Sequence, residues 1–178
     1  ILIFSVNVYI IEKGTPDVVK YNIFSRINQG GLKLEPQEIR HALHQGKPAQ
    51  LVADLVRGVD LLNENGDIVA PATEEGKAFV KATGGKIRTD RMQDRDFATR
   101  FVAFYLIDYK EYEPDLDSFL NKGMGKIKYL SDEEIQKLKV DFRAAMELAW
   151  DGFGEDAFRK RVNSHQPKKP INKAILEV

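Results

Sequence analysis

The sequence predicts an α+β chain that is mostly α. A β-branched apolar run opens it, and a series of capped, amphipathic segments follows. Of its 178 residues 43% are hydrophobic and 30% charged, which is the composition of a folded domain large enough to bury a core. Lys and Arg together number 27, as do Asp and Glu, so the formal net charge is zero. A protein that lives by bulk attraction to phosphate usually carries a basic excess, so any nucleic-acid contact must come from a local patch. Cysteine is absent, which removes disulfides, thiolate catalysis and Cys-ligated zinc and suits a cytoplasmic setting. No apolar run reaches the roughly 18–20 residues of a membrane helix.

Residues 1–11 are almost unbroken apolar sequence and read as a buried strand. A strand needs partners on its edges. These are expected upstream of residue 1, so the chain reads as a piece of a longer one. Thr15-Pro16-Asp17 then supplies an N-cap, a first-turn proline and a first-turn acid for a helix over 15–28. Val19, Ile23 and Ile27 are its expected buried stripe, and Gly30-Gly31 its stop. Glu35-Pro36 with Glu38 opens a second helix, stapled by Leu34 and Ile39 and ending near Gly46. A third spans 48–62 and halts at Asn63-Glu64-Asn65-Gly66. Residues 66–72 read as a linker. A weaker helix covers 73–82, with Gly76 counting against it. The clearest core helix is 90–107, where Phe97, Phe101, Phe104 and Tyr105 share a face. A turn at 109–114 precedes a helix over 115–124. Ser131 with three following acids caps a long helix to about Trp150. A short helix is expected over 155–162, a polar connector over 164–170, and an apolar helical pattern from Ala174.

Four groups of residues carry candidate chemistry. The first is the helix end Arg26-Ile27-Asn28-Gln29-Gly30-Gly31. Arg26 can grip phosphate bidentately, and the glycines allow close backbone approach. The plainer reading is a helix C-cap with a surface arginine. The second is Glu38, His41 and His44, three apart on one helix. A metal site of that kind needs more ligands than one such step, and two solvated histidines are the plainer reading. The third is the glycine- and cation-rich approach to the 90–107 helix, with Arg91 and Arg100 as phosphate ligands. Its spacing is not that of a P-loop. Asp90, Asp94 and Asp96 interleave with Arg91, Arg95 and Arg100, so surface charge paired within the helix is the plainer reading. Arg100, on the border of the aromatic stripe, either snorkels outward or enters a pocket. The fourth is the basic tail, Arg159, Lys160, Arg161, Lys168, Lys169 and Lys173. Its first five residues are candidate contacts to a DNA backbone; a solvated helix end is the plainer reading. No Ser/His/acid triad, nucleophile elbow or dinucleotide fingerprint is present.

The first two groups join into one string, Phe24-Ser25-Arg26-Ile27-Asn28-Gln29-Gly30-Gly31 followed by Gln37-Glu38-Ile39-Arg40-His41-Ala42-Leu43. It resembles the second signature of the bacterial family with a ParB-like N-terminal domain found in GmrSD-type (type IV) restriction proteins. Arg91 to Phe101 is similar to that family's Arg/acid-rich core helix, and Pro170-Ile171-Asn172-Lys173-Ala174-Ile175 to a later element. The resemblance implies a ParB/sulfiredoxin-like core with a helical extension, divided here as 1–46 and 47–178. It implies a defence protein that binds or hydrolyses a nucleoside triphosphate with Mg²⁺ to control action on modified DNA. A nuclease domain or subunit as partner and a homodimer are implied with it. The motif equivalents are Arg26, Asn28, Gly30 and Gly31. The family's first signature, Asp-Gly-Gln-Gln-Arg, does not occur in this sequence. The chain is therefore expected to hold half of a nucleotide site and not to turn over alone. The alternative is a non-catalytic DNA-binding or protein-interaction helical module. A third reading treats every apparent site as a helix cap.

Overall fold

The computed structural model describes residue 8 and residues 10–27, 33–160 and 167–177. The expected first strand falls largely outside these. Val8 and residues 10–12 carry no strand, and Val8 and Ile10 are exposed. A strand exists only by pairing, and none of the described residues pairs with this stretch.

The first helix, α1 (Asp17–Ile27), forms where expected. Its predicted stripe is not buried: Val19 is 43% exposed and Ile27 73%. Tyr21 and Ser25, four residues apart, face the second helix and Asp117 instead. That helix, α2 (Pro36–Leu43), starts as its sequence dictates, with the Glu35 N–H donating to Glu38 Oε2 at 2.7 Å. It packs against α1 on one side.

The third helix, α3 (Lys47–Val56), ends six residues before the expected Leu62. Leu61–Leu62 and Ile68–Ala70 form instead an antiparallel pair, β1 and β2, correcting the predicted helix end and linker. Asn63 explains the difference. Its side-chain oxygen accepts from the N–H groups of Asn65 and Asp67, both at 2.9 Å, closing a tight loop with Gly66 at φ 86°. Both strands are largely exposed, so no burial pattern marked them in the sequence.

Helix α4 (Glu74–Thr83) is capped by Thr73, whose Oγ1 accepts from the Gly76 N–H at 3.0 Å. Gly76 is a packing residue. A Cβ there would stand 2.3 Å from the Arg57 carbonyl oxygen, so glycine lets α4 abut the end of α3. A 3₁₀ turn, Asp90–Met92, leads into α5 (Gln93–Leu106). A second such turn, Tyr109–Glu111, precedes α6 (Leu116–Ile127). The long helix α7 (Asp132–Phe153) begins with a complete capping box between Ser131 and Glu134.

The core lies where α3, α4, α5 and α7 meet. Leu55, Phe79, Phe97, Val102, Leu138, Phe142 and Met146 form its centre. Phe97 takes edge-to-face contacts from Phe79 (5.3 Å) and Phe158 (5.1 Å). The α5 stripe is split rather than single. Phe97 and Phe101 serve this core, Phe104 packs on a second cluster of Ile107, Phe119 and Leu120, and Tyr105 is 38% exposed. The helix expected over 155–162 is replaced by a 3₁₀ turn, Gly154–Asp156, and a bridge between Arg159 and Ile171. Phe158 adopts φ 56° to swing its ring into the core, which a continuing helix would not allow. The chain closes on a 3₁₀ turn, Lys173–Glu177, packed on α5. No helix among the described residues is long and apolar enough to cross a membrane.

Candidate functional site

Helix α2 presents polar residues at i, i+3 and i+7 to the interior: Gln37, Arg40 and His44, all buried. Arg40 is 1% exposed. Its Nε donates to Gln37 Oε1 at 2.8 Å, its Nη2 to Asp96 Oδ1 at 2.7 Å, and its Nη1 to Asp117 Oδ1 at 2.6 Å. Gln37 in turn donates to Thr99 Oγ1 at 2.9 Å. A guanidinium so deep is held only because carboxylates and an amide oxygen meet it in its own plane.

Asp96 gathers cations from three parts of the chain. Besides Arg40 it meets Lys173 Nζ at 2.8 Å and Arg100 Nε at 3.3 Å. Burial works to raise its carboxyl. The Lys173 hydrogen bond and the surrounding charges of Lys173, Arg100 and Arg40 overcome that and hold it below the usual range. Around this cluster lies a cleft of about 240 Å³, lined by Arg40, Arg91, Arg100 and Lys173 and by Glu35, Asp96 and Asp117 among others. Four cations and three carboxylates line it, and each cation there already meets a carboxylate, Arg91 meeting Glu38 from outside the lining. Arg100 thus takes the inward of the two orientations its sequence position left open.

Arg91 and Met92 are consecutive residues in left-handed conformation, φ 60° and 57°. Each such L-residue costs about 1–2 kcal/mol. The turn sends Arg91 back onto α2, where its Nε meets Glu38 Oε1 at 3.0 Å and its Nη2 meets Glu38 Oε2 at 2.8 Å. One turn on, Arg95 Nη1 lies 3.3 Å from His41 Nδ1. Burial first, and then the Arg95 charge, lowers the His41 imidazole below its ordinary value.

The α5 charges are therefore not paired mainly within their own helix. Arg91, Arg95 and Asp96 reach across to Glu38, His41 and Arg40, and only Arg100–Asp96 is an in-helix pair among them. The two α2 histidines are not solvated either, since His44 is fully buried beside Asn121 and His41 half-buried. Among the described residues no group of three or more His, Asp or Glu side chains is placed to hold a metal ion.

Arg26 is exposed on the last turn of α1 and is not part of the cleft lining. Asn28, Gly30 and Gly31 lie outside the described residues, as does Arg161. Of the basic tail, Arg159 spends its side chain on the Glu155 carbonyl (3.0 Å) and the Lys169 carbonyl, and Lys168 pairs with Glu155. Lys160 and Lys169 are exposed. The residues that sequence reasoning passed over as site residues are Gln37, Arg40, Asp94, Arg95, Asp96 and Asp117. The signal for α2 was available: a polar stripe at helical spacing on the face that also carries the helix's packing.

The site defines a helical domain with a cationic cleft sealed by a buried arginine–aspartate network. No protein-family model, curated protein or solved structure matches the chain.

Proposed function

We propose that this chain belongs to a bacterial defence protein of the GmrSD type, and that the cleft at Asp96 receives the phosphates of a nucleoside triphosphate. The ParB/sulfiredoxin-like core is part of this reading, as are Mg²⁺ and a nuclease partner acting on modified DNA. One observation carries it. The three segments that bear the family resemblance, around Gln37–Arg40, Arg91–Arg100 and Lys173, are far apart in sequence yet supply the walls of one cation-rich cleft. Arg91, Arg100 and Lys173 are the phosphate ligands in this reading. Arg40 is the buried pillar behind them, and Arg26 has no contact in the cleft. The chemistry asked of these side chains is charge complementarity to the phosphate oxygens. A duplex-binding module is supported by the exposed Lys160 and Lys169, while Arg159 and Lys168 meet internal partners as the cleft cations also do.

The test is nucleotide binding and hydrolysis by the intact protein. Triphosphates are expected to bind at least about tenfold more tightly than their nucleosides. Arg100→Ala and Lys173→Ala should each erase most of that difference while the circular dichroism spectrum is unchanged. Equal affinity for nucleoside and triphosphate, or indifference to both substitutions, would refute the reading.

A further inference from the structure

On the other side of Arg91 lies a larger cavity of about 430 Å³. Its walls are largely apolar, from Val56, Val59, Leu61 and Met92, and Asp94 and Arg95 bring charge into it. Asp94 is 8% exposed, and no cation stands within ion-pair distance of its carboxylate among the described residues. Backbone N–H groups of the first helical turn meet it: that of Arg95 donates to Oδ1 at 2.8 Å, and its own N–H adds to this. Arg95, half-buried, has no carboxylate partner either; its guanidinium rests against the His41 ring and the Met92 sulfur. Two opposite charges, adjacent in sequence and lining one cavity, thus act on each other through space without a direct side-chain contact. A buried carboxylate and a half-buried guanidinium that share a cavity without bonding each other leave hydrogen-bonding capacity for a ligand. Burial raises the Asp94 carboxyl above its ordinary value, outweighing the backbone N–H groups of Arg95 and Asp94 and the charges of Arg95 and Lys173.

We propose that this cavity binds a guanine base, with Asp94 accepting from N1–H and the exocyclic amine and Arg95 donating to O6. Guanine alone among the common bases offers two adjacent donors, N1–H and the exocyclic amine, beside an acceptor, O6, along one edge. Adenine would aim a bare ring nitrogen at the carboxylate, and cytosine and uracil would aim carbonyl oxygens. The apolar walls suit the faces of a flat bicyclic ring. Arg91 lines both this cavity and the charged cleft, so the two sites share a wall residue. The inference rests on the phosphate reading for the rest of the nucleotide, but the base pocket stands or falls on its own residues.

The measurement is equilibrium binding of GTP, ATP, CTP, UTP, XTP and guanosine to the intact protein. GTP is expected to lead the other natural triphosphates by tenfold or more. Asp94→Asn swaps an acceptor pair for one acceptor and one donor, which matches xanthine. That variant should lose GTP affinity and gain XTP affinity, an inversion that a merely structural role would not produce. Arg95→Ala should lower GTP affinity without altering the fold. Equal affinity for all triphosphates, or an unchanged order in Asp94→Asn, overturns the guanine pocket while leaving phosphate binding intact. Guanosine binding as tightly as GTP keeps the pocket and removes the phosphate reading. No binding of any probe overturns both.

Discussion

Asp94 and Asp96 sit two residues apart in α5 and respond to protons in opposite directions. The folded state holds Asp96 below its ordinary value, so its contribution to stability is present above the unfolded-state pKa, about 3.9, and fades as pH falls through the folded value. The folded state holds Asp94 above its ordinary value. Its contribution is fully present below the unfolded-state pKa and is lost as pH rises through the folded one. Two substitutions separate these effects in urea unfolding at a series of pH values. Asp96→Asn should lower the midpoint at pH 7, with the gap to the parent closing in acid. Asp94→Asn should raise the midpoint at pH 7 and leave it unchanged near pH 3. A gain of stability at the residue that we place against a ligand is the pattern expected when a site trades stability for binding.

Among the elements, the junction of α3 and α4 shows how a local penalty is offset by packing. Gly76 costs helix propensity, and the sequence alone counts it against α4. The structure gives the reason for it: the neighbouring backbone passes so close that a methyl group has no room. Gly76→Ala is expected to destabilise by about 1–3 kcal/mol despite alanine's better propensity, read as a lower thermal midpoint. The caps at Glu35 and Ser131 were legible because they act on backbone groups within a few residues. The β1–β2 hairpin was not, because two exposed strands and a loop closed by an Asn side chain leave the same polar-to-apolar signature as a frayed helix end. Phe158 was missed for a related reason. Its left-handed backbone is stabilised by a distant ring, Phe97, and no sequence window of helical length contains both.

For the molecule as a whole, the class was legible and the wiring was not. Capped segments and the aromatic stripe fixed a mostly helical chain. What placed the candidate site was the partnering of Gln37, Glu38, Arg40 and His41 with residues more than fifty positions away, and such pairing leaves no periodicity to read. The last segment illustrates the consequence for stability. Residues 167–177 are held by the Arg159–Ile171 bridge, by the Phe158 carbonyl accepting from the Asn172 N–H at 2.7 Å, and by Lys173 on Asp96. Phe158→Ala should cost about 3–5 kcal/mol in unfolding free energy. Limited proteolysis should then cut first within 167–177, whereas in the parent that segment should resist as long as the core does.

The shared carboxylate also ties the two ends of the chain together. Arg40 on α2 holds Oδ1 of Asp96, and Lys173 in the closing 3₁₀ turn holds Oδ2. An anion that drew Lys173 away would leave Asp96 leaning harder on Arg40, so occupancy at the tail would be felt in the helix that follows α1. Hydrogen exchange should therefore show protection changing in α2 as well as in residues 167–177 when an anion binds at Lys173.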